Sequence, residues 1–344
     1  MYKRQVLDGV DITSVTSAPI YIRSADKVFI TTTSSSENTL TNGGEYDAID
    51  ENHIDAVIFS KSDLTLNGAG ILKIRAAAGH GIVSKDDLVM TSGTYDIVAQ
   101  SHGISGKDSV RIANGAYVIE AGKDGIHAEN NDDADLGFLY IADGTFQIEA
   151  DGDGMSAATY LQIDDGFYEI ETGGGSLEAS EKEEVREFGP GQANHQEETT
   201  EQDTVSTKGL KGSKDLTILG GDFVIDSLDD SLHSNGSLSI QGGILELSTG
   251  DDGIHADEQV SILDGEIQIN NSYEGIEGLC IDIEGGDITL TASDDGLNAA
   301  GGNDESGFMG PGGDIFAETE GAYIHISGGT IQIDVCLLYT SRCV

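Results

Sequence analysis

One glycine returns through this chain at a nearly fixed interval, and that pattern marks a stack of like coils. The series runs Gly70, Gly93, Gly115, Gly144, Gly166, Gly221, Gly243, Gly265, Gly286 and Gly329; most gaps are 21 to 23 residues and the longer ones contain insertions. Five residues before most of these glycines an apolar-x-apolar triplet begins, as in Leu88/Met90, Val110/Ile112, Leu161/Ile163, Leu216/Ile218, Leu238/Ile240 and Val260/Ile262. Two and four residues after the glycine come Tyr95/Ile97, Tyr117/Ile119, Phe146/Ile148, Phe223/Ile225, Leu245/Leu247 and Ile267/Ile269. Ten residues after it a second glycine is followed at once by an aliphatic side chain: Gly103-Ile104, Gly125-Ile126, Gly154-Met155, Gly253-Ile254, Gly275-Ile276 and Gly296-Leu297.

Each unit reads as two alternating strands and a short third one, divided by turns whose glycines accept backbone angles that a Cβ disfavours. A lone coil of this size cannot bury its inner face, so the units must stack. The expectation is an all-β, right-handed parallel β-helix: one solenoid with about 22 residues per coil and about ten coils. At about 4.8 Å per rung the rod is on the order of 50 Å long. A β-sandwich would not hold one register of triplet, glycine, pair and glycine through so many copies. The 47 glycines and 6% aromatic content agree with short strands and tight turns.

Two stretches leave the register. Residues 173–206 are polar, acidic and aperiodic and read as a loop; residues 299–321 form a glycine-rich loop. Both depart at coil corners, so the extra length lies outside the rod. The two ends are expected to be foreign. Met1 to Gln5 and Cys336 to Ser341 can be written as translations of one short DNA sequence on opposite strands, resembling transposon ends used in sequencing libraries. Residues 1–5 and 336–344 are therefore set aside as scars, which leaves a single domain at 6–335 and one cysteine, Cys280. That cysteine count excludes an internal disulfide framework. Any signal peptide is expected to have been lost by truncation, and the protein is expected outside the cell or on its surface.

Charge narrows the partners. Lys plus Arg is 17 and Asp plus Glu is 62, a formal net charge of -45. Such a surface repels nucleic acid phosphates and anionic membranes and attracts cations. No run of 18 apolar residues is present, so no membrane insertion is expected. The rod is expected to be a monomer.

The turn at the second glycine carries carboxylates. Asp229-Asp230, Asp251-Asp252 and Asp294-Asp295 precede it in later coils, Asp124 and Asp153 in earlier ones. Stacking lines them up one rung apart, where like charges cost about 1 kcal/mol in water and more where dry. Bound Ca²⁺ would remove that repulsion, and its preference is for hard oxygen ligands. These eight aspartates are the expected metal ligands, although Asp-Gly is also ordinary turn chemistry. The outward positions of the second strand form another column, in which Glu149, Glu169, Glu171, Asp226, Glu246, Gln268 and Asn270 are the expected carbohydrate-binding residues, with Glu120 and Gln147 beside them. A solvated face that blocks aggregation is the plainer reading of the same column. No exposed aromatic platform is evident. His127, His233 and His255 are expected to point outward and His80 and His102 to occupy places that hold Asp in other coils; structural roles are expected for all five.

The phrases Ala56 to Gly68, Gly103 to Ser109, Lys123-Asp-Gly-Ile-His-Ala128 and Leu297 to Asp304, in this spacing, resemble the clostridial-type carbohydrate-binding β-helix family, formerly a domain of unknown function. The resemblance runs from about residue 20 to residue 334. It implies a fold similar to pectate lyases, bound calcium, and binding of acidic or cellulosic polysaccharide without a demonstrated reaction. The expected function is a non-catalytic, calcium-dependent module for acidic polysaccharide of the polygalacturonate kind, with cellulose as a further ligand; the protein is expected not to be an enzyme. The alternatives are a calcium-assisted pectate lyase and a structural surface protein or adhesin. A lyase needs a basic residue to take the proton beside the carboxylate, and Lys107, Arg111, Lys123, Lys208, Lys211 and Lys214 are its candidates.

Overall fold

The computed structural model describes residues 2–48, 50–179, 206–299 and 321–335. Within them the chain winds as a parallel β-helix whose regular coils each contribute three strands. One coil consists of Ser109–Ile112, Ala116–Ala121 and Ile126–Ala128; the next of Phe138–Ile141, Thr145–Ala150 and Met155–Ala157. They pair in parallel, Val110 on Leu139, Tyr117 on Phe146 and Ile126 on Met155. The triplets, pairs and short strands read from the glycine spacing are these three rungs. Near the C-terminal end the triplet and short strands fuse, in Ile254–Ile262 and Ile276–Ile283, so two faces join as one 21-stranded sheet.

The remaining face is a 12-stranded sheet, two rungs more than the recurring glycines mark. The additional rungs, Asp11–Ser14 and Glu37–Asn42, lie at the N-terminal end. The register of Glu37–Asn42 escapes the apolar spacing because Asn38 and Asn42 stand at inward positions, and Asp11–Ser14 offers only Ile12. Asn38 is fully buried, takes the Val10 amide on Oδ1 at 3.1 Å, and gives its Nδ2 to Ser36 Oγ at 2.9 Å and Ile71 O at 3.2 Å. A buried amide of this kind is tolerated only when satisfied.

Inward side chains stack on their equivalents one rung away. Tyr95, Tyr117, Phe146, Tyr168 and Phe223 form a ladder with ring centroids 5.1, 4.7, 4.9 and 4.5 Å apart and planes within 8°. Offset aromatic contacts are worth about 0.5–1.5 kcal/mol per pair beyond the area buried. The two repeated glycines are required for different reasons. Gly115 has φ 147°, and a Cβ there would sit 2.8 Å from the Tyr117 hydroxyl. Gly125 is not left-handed; a Cβ on it would instead lie 2.5 Å from Ile148 Cγ2 and 2.7 Å from the Gly154 carbonyl oxygen of the next coil. Close approach between rungs, not φ, is what fixes the second glycine.

At the first long interruption Thr172 Oγ1 donates to the Thr207 carbonyl at 2.5 Å, so the point of exit and the point of return are joined. Most of each expected loop (residues 180–205 and 300–320) lies outside the described residues, as does the expected scar at 336–344. At the other end Tyr2–Leu7 pairs in register with Lys27–Thr32. No helix among the described residues is long and apolar enough to cross a membrane.

Candidate functional site

The turn before the second glycine becomes a continuous polar column. Each glycine amide, or Ser231 in its place, donates to a carbonyl one coil onward: Gly103 to Asp124, Gly125 to Asp153, Gly154 to Lys208, Gly209 to Asp230, Ser231 to Asp252, Gly253 to Glu274 and Gly275 to Asp295, at 2.9–3.1 Å. Two of the double-aspartate turns therefore have an inner and an outer member, while Asp294 and Asp295 are both half-buried. Asp230 and Asp252 are the inner ones, 3% and 2% exposed, while Asp229 and Asp251 stand half-buried beside them. Lys208 and Glu274 belong to the same column although neither is an aspartate.

A second column runs beside it, two residues after the glycine. In register it reads Ser105, His127, Ser156, Lys211, His233, His255, Glu277 and Asn298. The histidines of this column, expected to point outward, meet the carboxylate turns. Asp and His three residues apart face each other across one turn: His127 Nδ1 lies 2.7 Å from Asp124 Oδ2, His233 Nδ1 2.7 Å from Asp230 Oδ2, and His255 Nδ1 3.1 Å from Asp252 Oδ2. His233 and His255 are also buried rather than outward in solvent, because flat stacking covers them: their ring centroids are 4.9 Å apart, and His80, His102 and His127 form a similar stack.

These contacts sort the eight expected metal ligands. Asp229, Asp230 and Asp251 can bring one carboxylate oxygen each to a common point, all within 4.8 Å of one another. An all-oxygen set of this kind fits a hard cation such as Ca²⁺. In the described structure the Lys208 ammonium bridges two of the three, with Nζ 2.8 Å from Asp229 Oδ2 and 2.9 Å from Asp230 Oδ2. Asp153 is taken up by protein donors: its Oδ1 accepts Ser206 Oγ at 2.7 Å and the Lys208 amide at 2.8 Å, and Lys211 Nζ is 3.6 Å from its Oδ2. Asp124 joins His102 and His127, and Asp252 joins His255 and Glu277. Asp294 and Asp295 enter no such group among the described residues.

The electrostatics follow burial first and neighbours second. Burial alone would raise the Asp230 carboxyl, but the His233 hydrogen bond and the Lys208 charge outweigh it and hold the group well below the ordinary carboxylate range. Burial would lower Lys208; Asp230 and Asp229 reverse that and raise it. Asp252 has no such ammonium, and burial pushes it well above its ordinary value. Burial and then the Glu277 charge push Glu274 up to about 8. His255 goes the other way: the carboxylates of Asp252 and Glu277 outweigh burial and push it up to about 12. His102 is held down to about 3, mainly by burial.

Around the corner from this column, the outward residues of the second strand lie as expected on an exposed face. They form two columns rather than one: Gln147, Glu169, Val224, Glu246 and Gln268 in one, Glu120, Glu149, Glu171 and Asp226 in the other. Between them runs a shallow groove lined by Glu149, Glu169, Glu171 and Asp226, with Val118 and Val224 supplying apolar floor. Asp226 Oδ1 accepts the Ser176 amide at 2.7 Å, which ties the start of the first interruption to the groove's end. Asn270 departs from the ladder. A bulge pairs Ser248 with Asn271, and Asn270 instead gives its amide to Glu246 Oε1 at 3.0 Å. Exposed aromatics are present after all. Phe167 is 59% and Tyr160 42% exposed, and Phe138 neighbours Tyr160 on the triplet face. Spacing could have revealed this pair, since Phe138 and Tyr160 stand 22 residues apart.

Comparison with known proteins adds three findings. A family model described as carbohydrate-binding domain-containing protein matches residues 3–253 and 251–336. A carbohydrate-binding domain-containing protein of Acetivibrio thermocellus is 42% identical over 96 residues, which are 27% of this chain and only 34% of that protein's length. A solved structure, described as the polysaccharide lyase-like protein from C. thermocellum in a gadolinium derivative, is 36% identical, covers 50% of this chain and 71% of its own, and superposes with a TM-score of 0.49.

Proposed function

The chain belongs to the carbohydrate-binding domain-containing protein family, and from that premise we propose that it is a non-catalytic module for acidic polysaccharide, acting outside the cell or on its surface with calcium. The observation that carries this reading is the groove of the second sheet. Glu120, Glu149, Glu171 and Asp226 repeat there in register at about one rung spacing, roughly 4.8 Å. An extended polymer lying along the rod meets the same acceptor set at each step. An anionic rod holds an anionic polymer only through bridging cations, because the direct interaction is repulsive. Asp229, Asp230 and Asp251, which follow Asp226 round the corner of the coil, are the residues suited to hold calcium. Held there beside or in place of the Lys208 ammonium, calcium would supply the positive charge that an anionic polymer needs.

A lyase needs a base that is free to lose its proton. Four of the six basic residues offered by the sequence are engaged otherwise. Lys208 bridges Asp229 and Asp230; Lys211 Nζ lies 3.2 Å from Ser206 Oγ and 3.6 Å from Asp153. Lys214 lies over the Tyr160 ring at 5.5 Å, and Arg111 pairs with Asp87 at 2.5 Å. Lys107 and Lys123 are exposed. This arrangement favours binding without turnover.

The test is retention on immobilised polygalacturonate with calcium and with chelator, while absorbance is followed for unsaturated product. Retention that requires calcium and yields no product supports the module. Product formation would overturn it in favour of a lyase, and indifference to polymer and calcium would leave a structural rod.

A further inference from the structure

We propose that Asp252, His255 and Glu277 form a site for one divalent cation of the zinc class, separate in chemistry from the all-oxygen aspartates. It does not rest on the carbohydrate reading. His255 Nδ1 faces two carboxylate oxygens at once, Asp252 Oδ2 at 3.1 Å and Glu277 Oε2 at 3.0 Å. The Nδ1 contact to Asp252 has hydrogen-bond geometry, and the one to Glu277, though as short, does not. The structure shows the consequence: Glu277 is 2% exposed, and its Oε2 is buried with no hydrogen-bond partner. Such orphaned acceptors are rare and costly inside a fold. A cation among the three atoms, which all lie within 4.8 Å of one another, satisfies every one of them.

Two further features agree. The other ring nitrogen of His255, Nε2, lies 3.1 Å from Asp257 Oδ1. A carboxylate can only accept, so Nε2 carries the proton and Nδ1 is turned inward, the orientation in which a metal-binding histidine is held by an outer carboxylate. Charge also calls for a cation. Asp230, Asp252, Glu274 and Glu277 are each 4% exposed or less and occupy neighbouring rungs, while Lys208 reaches only the Asp230 end and the single imidazole of His255 faces both Asp252 and Glu277. One imidazole nitrogen with two carboxylates suits zinc or cobalt, whereas calcium takes six to eight oxygens. Loading exchanges the Nδ1 proton for the metal and releases that proton to solvent. The related groups are less free: His102 Nδ1 already accepts the Asp124 amide at 3.2 Å, and Asp230 is held by both Lys208 and His233.

Metal-stripped protein titrated with Co²⁺ reads this site through the visible absorption of bound cobalt. The expected result is one equivalent of cobalt that zinc displaces and about a hundredfold excess of Ca²⁺ does not. Glu277→Gln and His255→Gln should each weaken cobalt binding at least about 100-fold, and Asp257→Asn about 10–100-fold. His127→Gln should leave it unchanged. Melting curves of the metal-free variants separate ligand loss from misfolding. X-ray absorption of zinc bound to the unaltered protein gives an answer that needs no variant, since one imidazole nitrogen must appear among its ligands. Calcium displacing cobalt, unchanged binding in folded Glu277→Gln and His255→Gln, or a zinc shell without imidazole would each overturn the proposal.

Discussion

Lys208 Nζ lies 2.9 Å from Asp230 Oδ2, one rung along the column in which both stand. The lysine is thus the internal counter-ion of a carboxylate stack. Lys208→Met should leave Asp230, still bonded to His233, buried beside Asp229 without its ammonium, at a cost of about 3–5 kcal/mol. Thermal or urea unfolding measures this. Calcium should raise the melting temperature of Lys208→Met more than that of the unaltered protein, because it refills the vacated charge. Equal calcium shifts in both would argue against Asp229, Asp230 and Asp251 as the calcium ligands.

The aromatic ladder makes a graded prediction. Tyr117 is 1% exposed, lies between Tyr95 and Phe146, and gives its hydroxyl to Asn114 O at 3.2 Å. Tyr117→Ala should cost about 3–5 kcal/mol through the cavity it leaves. Tyr117→Phe loses one ordinary hydrogen bond, about 0.5–1.5 kcal/mol. A chemical-denaturation series over both variants checks the order, and equal losses would contradict the ladder.

His102 gives a pH signature of known sign. Unfolded, its imidazole takes a proton near pH 6.5; folded, burial holds it down to about 3 against the pull of Asp124. The unfolded state therefore binds more protons between these values. The contribution present above about pH 6.5 is lost as pH falls toward 3, with a slope of up to about 1.4 kcal/mol per pH unit. The difference in stability between the unaltered protein and His102→Gln, followed from pH 7 to pH 3, should show that slope. A pH-independent difference would mean that His102 titrates normally.

Binding should depend on the groove more than on the column. Replacing Glu149 and Glu171 together by Gln keeps shape and removes two exposed charges from neighbouring rungs. Calcium-dependent retention on polygalacturonate should fall at least about tenfold, equivalent to about 1.4 kcal/mol, with the melting temperature nearly unchanged. Undiminished retention would move the binding surface elsewhere on the rod.

Much of this was legible in advance because stacking converts sequence period into spatial register. Tyr95, Tyr117 and Phe146 could be placed inside, and the outer ladder of Glu149 and Glu171 on one face, from spacing alone. The turn aspartates were legible as a column for the same reason. The pairing of His255 with Glu277 was not, since the two are 22 residues apart and different in kind, so a search for like residues passes over them. Lys208 was hidden by the insertion before it, which obscures its alignment with Asp153 and Asp230. Simple alternation put His233 and His255 in water because it knows nothing of the next rung, whose flat ring covers each one. The rung at Glu37–Asn42 escaped because Asn38 does there what leucine does elsewhere.

The bond from Thr172 to the Thr207 carbonyl has a consequence for how such a rod can change. The two ends of a long departure are fastened to each other within the coil, so the rungs before and after it keep their register. Loop-closure entropy grows only slowly with length, about 0.6 kcal/mol for each doubling. That stitch is a natural splice point, where a lineage can lengthen, shorten or exchange a whole segment while every rung of the rod keeps its neighbour.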